Sequence, residues 1–309
     1  MLAHNEIKTV AVLGGTGWVG RHLCTALAER GTRVVAVARS RTAGLRCDRF
    51  AALDLATAPA ATTAELLRAE SADLVINATD AANATDGWDR TEAELVQANV
   101  SLVEQVLHAV RAQRRPVRVV HIGTMHEYSP VAFGTPVDES TPCAPESVYA
   151  RTKLAGSQAV LDAARTGAVD GIVLRAVNVC GPHPSPASLP GKLVALLAAG
   201  TVRLPIAEAH RDWLDVRDLA GAAIAAAQRP GVTGVVNIGS GQAVPMREFV
   251  ETFVQEAGFP LSVVEDTSTA VQSYGGSWLQ ADIRKAADVL DWKPRWSLRD
   301  SLRDMWAAR

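Results

Sequence analysis

Thr9-Val10-Ala11-Val12-Leu13-Gly14-Gly15-Thr16-Gly17-Trp18-Val19-Gly20 is the stretch on which the fold turns. Thr9 to Leu13 is a short apolar run ended by glycine, the pattern of a buried strand. From Trp18 to Arg30 apolar residues recur at helical spacing. Gly14, Gly17 and Gly20 stand between the two at G-x-x-G-x-x-G spacing. One glycine permits a tight turn, a second lets the backbone approach a pyrophosphate, and a third lets helix pack on strand. The helix start then offers amide donors and dipole to the anion. The bare pattern is expected by chance about 0.1 times in a chain of this glycine content, so its place directly after the first strand is what sharpens it.

The same alternation continues outward. Arg33 to Ala38, Asp73 to Asn77, Val117 to Ile122 and Gly171 to Leu174 repeat the strand signal, with helical stretches around Glu65 and from Glu92 to Arg114 between them. Continuous apolar strands alternating with helices predict a parallel sheet covered on both faces and joined by right-handed crossovers. The fold class is α/β, a doubly wound Rossmann sheet. Beyond residue 177 the pattern changes. Pro182, Pro184, Pro186 and Pro190 crowd one loop, which cannot be helix interior. Shorter elements follow: helices over Val216 to Gln228, Pro245 to Ala257, Asp282 to Leu290 and Leu298 to Trp306, and strands over Val235 to Ile238 and Leu261 to Val264. Residues 1–177 are thus expected to form mainly the dinucleotide-binding domain. Residues 178–309 form mainly a smaller mixed α/β substrate lobe, with the chain free to cross between the two.

Composition narrows the class. The 309 residues are 48% hydrophobic and 21% charged, with a net charge of −2. That balance gives no bias toward nucleic acid or an anionic membrane. No apolar run approaches the roughly 18 residues of a membrane span. Met1 to Lys8 is polar, without the apolar segment of a secretory signal, and a cytoplasmic location is expected. Cys24, Cys47, Cys143 and Cys180 are scattered, so no metal site is expected and the thiols are read as reduced.

The second strand runs into Ala38-Arg39-Ser40-Arg41, with no acid to accept from ribose hydroxyls. Arg39 and Arg41 can pair with a 2′-phosphate, which favours NADP(H) over NAD. In an arginine-rich chain, two solvated surface arginines are the alternative. Asp54, one strand further on, is placed to contact adenine or to cap a turn. Tyr149-Ala150-Arg151-Thr152-Lys153 puts a phenol and an ammonium on one face of a helix. The charge favours the phenolate and makes the phenol usable as an acid or base. Thr124, after the strand Val117 to Ile122, stands where such sheets place their ligands, and its hydroxyl can hold a carbonyl oxygen.

Taken together these motifs resemble the extended short-chain dehydrogenase/reductase family of nucleotide-sugar epimerases, dehydratases and reductases, over nearly the whole chain. Gly14 to Gly20, including Thr16, Trp18 and Val19, matches the family's cofactor turn. Asn99 matches an asparagine in the helix before the catalytic strand. Thr124, Tyr149 and Lys153 match the catalytic threonine, tyrosine and lysine, the lysine also holding the nicotinamide ribose. Leu174 to Pro182 and Arg211 to Asp218 are similar to two further signatures, as are Asn237 to Gly241 and Leu290 to Pro294. The resemblance implies that Asn178 and Arg211 bind the diphosphate of a sugar nucleotide. It departs at Tyr274 to Gln280, where many relatives carry a second phosphate-binding arginine and this chain has none. Thr124-Met125-His126-Glu127 lacks the aspartate of the dehydratases, which disfavours water elimination, and Arg39 and Arg41 disfavour the tightly held NAD of the 4-epimerases. The expected activity is NADPH-dependent reduction of a keto-sugar nucleotide. The loop Gly181 to Gly191 looks most like the dTDP-4-keto-6-deoxyhexose 4-ketoreductases of bacterial secondary metabolism. Alternatives are an epimerase or epimerase-reductase, in which the substrate-side histidines His126 and His183 would move a proton, and a non-catalytic NADP sensor, which the intact Tyr149 and Lys153 disfavour. Relatives often pair through helices near residues 92–114 and 147–165, so a homodimer is expected.

Overall fold

The computed structural model describes residues 7–79, 90–267 and 276–309. The chain runs β1 (Thr9–Leu13), α1 (Trp18–Ala28), β2 (Arg33–Ala38), β3 (Arg49–Ala52), α2 (Ala60–Ala69), β4 (Leu74–Asn77), α3 (Glu92–Val96), α4 (Leu102–Arg111), β5 (Arg118–Thr124) and α5 (Val148–Arg165). It continues with β6 (Asp170–Ala176), β7 (Asn178–Cys180), α6 (Leu189–Ala198), β8 (Val202–Leu204), β9 (His210–Asp215), α7 (Val216–Ala227) and β10 (Gly234–Ile238). The last elements are β11 (Ala243–Pro245), α8 (Met246–Glu256), β12 (Val264–Asp266), β13 (Trp278–Leu279), α9 (Arg284–Leu290) and α10 (Leu298–Ala307).

Among the described residues one sheet has seven strands in the order β10-β6-β5-β4-β1-β2-β3. Every pairing in it is parallel. Parallel neighbours need a crossover, and helices supply it. Alternation across the pleat feeds two cores. Val10 and Val12 join α1 and α7 on one face, while Ala11 and Leu13 join α2, α4 and α5 on the other. Both faces of β1, β4 and β5 are buried, which is why β1 and β4 read as nearly continuous apolar runs, while β5 also buries Arg118, His121 and Thr124. The order reverses between β1 and β4, the crevice where doubly wound sheets bind ligands. Edge strand β3, Arg-Phe-Ala-Ala, is only partly buried and carries too little pattern to bound from sequence.

The second lobe has its own core around Leu193, Trp213, Phe249, Phe253 and Met305. Trp213 stacks on Phe249 at 3.8 Å between centroids. Its sheet centres on β9, paired with β7, β11 and β13, and β8 pairs with β12. The chain crosses between lobes: α7, β10 and α9 pack in the Rossmann layer although they follow residue 177. The strand expected over Leu261 to Val264 is replaced by a 3-10 turn at Leu261–Val263, and β12 begins at Val264. Pro260 at the turn's N-cap and the lack of ladder partners for 261–263 account for the shift.

Candidate active site

Backbone geometry builds the cofactor end. The amides of Gly14 and Gly15 both reach Val37 O, at 2.9 and 3.2 Å, folding the turn back toward β2. Gly14 has φ +74°, open to glycine at little cost. A Cβ on Gly20 would lie 2.0 Å from Gly14 O, so only glycine lets α1 start this close to the turn. No side chain caps α1, whose N-cap is Gly17, leaving its first amides facing the cleft. An uncapped helix start behind a glycine cradle fits a pyrophosphate.

From this turn a single cleft of about 1100 Å³ runs between the lobes. Gly14, Thr16, Gly17, Trp18, Val19, Arg39 and Asp54 line it, with Thr124, His126 and Tyr149, and so do Asn178 and Arg211, which neighbour His126. Arg39 is exposed at the end of β2 and pairs with no acid among the described residues. Asp54 caps a turn, accepting from Ala56 N at 3.1 Å, while also lining the cleft.

Five expected residues do not line the cleft. Gly20 lies behind the turn. Arg41 is exposed beyond β2. Lys153 is buried one helical turn after Tyr149 and donates from Nζ to Ile122 O at 2.9 Å. Asn99 sits in a π-helical turn, Gln97–Ser101, between α3 and α4, where it donates to Thr152 Oγ1 at 3.0 Å. His183, with φ +52°, faces His22 on α1 at 6.4 Å between ring centroids. Of the two histidines, His126 lines the cleft and His183 does not. Of the segment Tyr274 to Gln280, Tyr274 and Gly275 lie outside the described residues.

Thr124 closes β5 and caps a 3-10 turn, Met125–Glu127. Its Oγ1 accepts from His126 N at 3.3 Å, so its own O–H is the group presented to a ligand oxygen. His126 Nε2 lies 3.3 Å from Asn178 Oδ1, an acceptor, which places the ring proton on Nε2. Burial first, and then the Arg211 charge, push this imidazole down to about 4, against the Asn178 bond. Neutral at physiological pH, it can hold a substrate hydroxyl without adding charge. Arg211 is buried and donates to His210 O and Gly276 O at 2.8 and 2.6 Å, which fixes its guanidinium in the cleft wall. Asp212 is raised to about 6 by burial, although Ser240, Gly241 and Ala281 donate to it.

Other lining residues carry no chemical motif. Leu204, which ends β8, with Pro205 and Ile206 after it and Lys192 on α6, also lines the cleft. Ser157, fully buried on α5, carries the one legible signal: it continues the Tyr149, Lys153 spacing by one more turn.

A Rossmann sheet whose glycine turn, strand-end threonine and helical tyrosine share one cleft defines a nicotinamide-dinucleotide-dependent enzyme. Residues 10–239 match the profile of the NAD dependent epimerase/dehydratase family. The chain belongs to that family. It is 38% identical to a dTDP-6-deoxy-L-talose 4-dehydrogenase (NAD(P)(+)) of Kitasatospora kifunensis, over 99% of this chain and 97% of the relative. It is 25% identical to a GDP-6-deoxy-D-mannose reductase of Pseudomonas aeruginosa, over 71% of this chain and 76% of that protein. Among solved structures, MoeE5 in complex with UDP-glucuronic acid and NAD superimposes with a TM-score of 0.85 at 26% identity, covering 97% of this chain and 98% of that one.

Proposed function

We propose that this protein reduces the keto group of a nucleotide-activated sugar with NADPH, and that the sugar is a dTDP-4-keto-6-deoxyhexose. The observation that carries this reading is the continuity of the cleft. It joins the glycine turn and Arg39 to Thr124 and Tyr149, and these to Asn178 and Arg211. The likeness to a dTDP-6-deoxysugar 4-dehydrogenase supports the substrate class and the 4-position, since a dehydrogenase run in reverse is a ketoreductase.

In this reading Gly14, Thr16, Gly17, Trp18 and Val19 hold the dinucleotide, with Gly20 shaping the turn. Arg39 binds the 2′-phosphate, with Arg41 adding charge nearby. Asp54 accepts from the adenine. When bound, the reduced nicotinamide supplies a hydride. Thr124 Oγ1–H and Tyr149 O–H bind the carbonyl oxygen and polarise the bond. As the carbon gains the hydride, Tyr149 gives its proton to the oxygen, so the ketone becomes an alcohol and the phenolate is reprotonated from water. Lys153, buried one helical turn away, favours that phenolate by charge. Asn99, bonded to Thr152 one residue before Lys153, steadies the helix turn that carries it. Asn178 holds His126 and, with Arg211, receives the diphosphate.

The reading is tested by turnover with deuterium at the transferred position of NADPH. Label at C4 of the product sugar, seen by NMR, is expected. Solvent-derived label at C3 or C5 would mean a proton-shuttling epimerase instead.

A further inference from the structure

We propose that Glu127 is a positioning residue that locks the Thr124 turn to the helix bearing Tyr149 and Lys153. Its carboxylate is fully buried. Oε1 accepts from Thr124 N at 3.0 Å and from Ser157 Oγ at 2.9 Å. Oε2 accepts from Arg175 Nε at 2.7 Å. Three elements meet on one carboxylate: the end of β5, α5 and β6. Ser157 lies two helical turns beyond Tyr149 and one beyond Lys153, on the same stripe. A Cβ on Gly123 would lie 2.7 Å from Oε1, so the residue before Thr124 is one that leaves the carboxylate its room.

A buried charge is expensive, and replacing such a pair by apolar residues is often neutral or stabilising. Stability alone is therefore a weak reason for this ion pair. Geometry gives a better one. Thr124 and Tyr149 act on the same carbonyl oxygen but come from different elements, and a displacement of about 1 Å between two such groups is costly in rate. Glu127 spans that gap. Beyond it, Arg175 stacks on the Tyr128 ring at 4.3 Å, and Tyr128 donates to Asn237 Oδ1 on β10 at 2.8 Å, which anchors the strut in the sheet.

The inference rests on the reading above only in placing Thr124 beside Tyr149 at the reacting carbon, whichever cofactor and direction are used. Its test is a double-mutant cycle on whichever substrate the wild type turns over, reduced or oxidised. Ser157→Ala removes one bond without stranding a charge and keeps a good helix former. It is expected to lower kcat about fivefold, with the KM for cofactor within about twofold. Glu127→Gln turns a donor toward Arg175 and is expected to lower kcat about thirtyfold. In a Thr124→Ala background both changes should cost less than about twofold, because the group they position is gone. Equal losses in both backgrounds would overturn the proposal. If Glu127→Gln fails to fold, Ser157→Ala alone completes the cycle. Hydrogen exchange needs no turnover. In Ser157→Ala, protection should fall together in residues 122–128 and 149–157, and unchanged protection in both would equally overturn it. An inactive wild type would count against the proposed reaction, while exchange would still decide the role of Glu127.

Discussion

Tyr149 is almost wholly buried yet reaches the cleft, and Lys153, one helical turn further on, is buried and held to Ile122 O. On the proposed role, Tyr149→Phe removes the proton donor and little else. Turnover should fall by about 10³-fold, within the range of general acid catalysis, while NADPH binding followed by fluorescence stays within a few-fold. Loss of binding would give the tyrosine another role. Arg39 stands exposed at the cofactor end without an acidic partner among the described residues. Arg39→Ala should weaken NADPH about tenfold or more and NADH hardly at all, and equal losses would remove the 2′-phosphate contact. The titration of His126 has a sign that can be worked out. Its folded value near 4 lies below the usual 6.5, so the unfolded chain takes up a proton that the fold refuses. The neutral ring is without penalty above pH 6.5, and stability is lost as pH falls toward 4. Asp212, raised to about 6, works in the opposite sense in the same range. The difference between wild type and His126→Gln isolates the histidine. From pH 7 to 4.5 the wild type should lose about 2 kcal/mol relative to the variant, the ring being open to water on its cleft side, and a constant difference in chemical denaturation would refute this.

The first element that matters is the turn into α1. Gly20→Ala would drive a methyl carbon to 2.0 Å from Gly14 O, backbone that cannot yield without moving the turn. The unfolding temperature should drop by several degrees and dinucleotide binding should disappear, whereas a variant that still binds would show the cradle to be looser than drawn. Helix α1 also reaches the other lobe. Trp18 Nε1 donates to Pro182 O at 2.9 Å, and His22 Nε2 lies 3.1 Å from the same oxygen. This turn was readable because its constraints are local: strand, glycines and helix follow one another in sequence. Tyr149 and Lys153 were readable for the same reason, four residues apart on one helix. Glu127 was not, because its meaning lies in partners 30 and 48 positions away; Ser157 continues the Tyr149, Lys153 stripe and Arg175 stands in a family signature, but neither shows in sequence that it meets Glu127. The pairing of His126 with His183 came from the resemblance to epimerase-reductases; the structure lines the cleft with His126 and sets His183, at a left-handed φ, 6.4 Å from the His22 ring.

Across the whole molecule residues of the seven-stranded sheet and of the β9 lobe both line the cleft, and α7, β10 and α9 return the chain from that lobe to the Rossmann layer. The alternation of strands and helices made the Rossmann layer legible through β6. The return of the chain to that layer after residue 177 was not, since a five-residue strand such as β10 carries no signal of which sheet it joins. The apolar wall Leu204 to Ile206 was hidden too, being three residues that only the second lobe brings to the cleft. What the assembled cleft claims to do is tested most directly by following NADPH oxidation with dTDP-4-keto-6-deoxyglucose, with NADH as the control. Turnover that prefers NADPH is expected. Clear NADPH binding with no turnover of this sugar or of a panel of 3- and 4-keto-sugar nucleotides would contradict it.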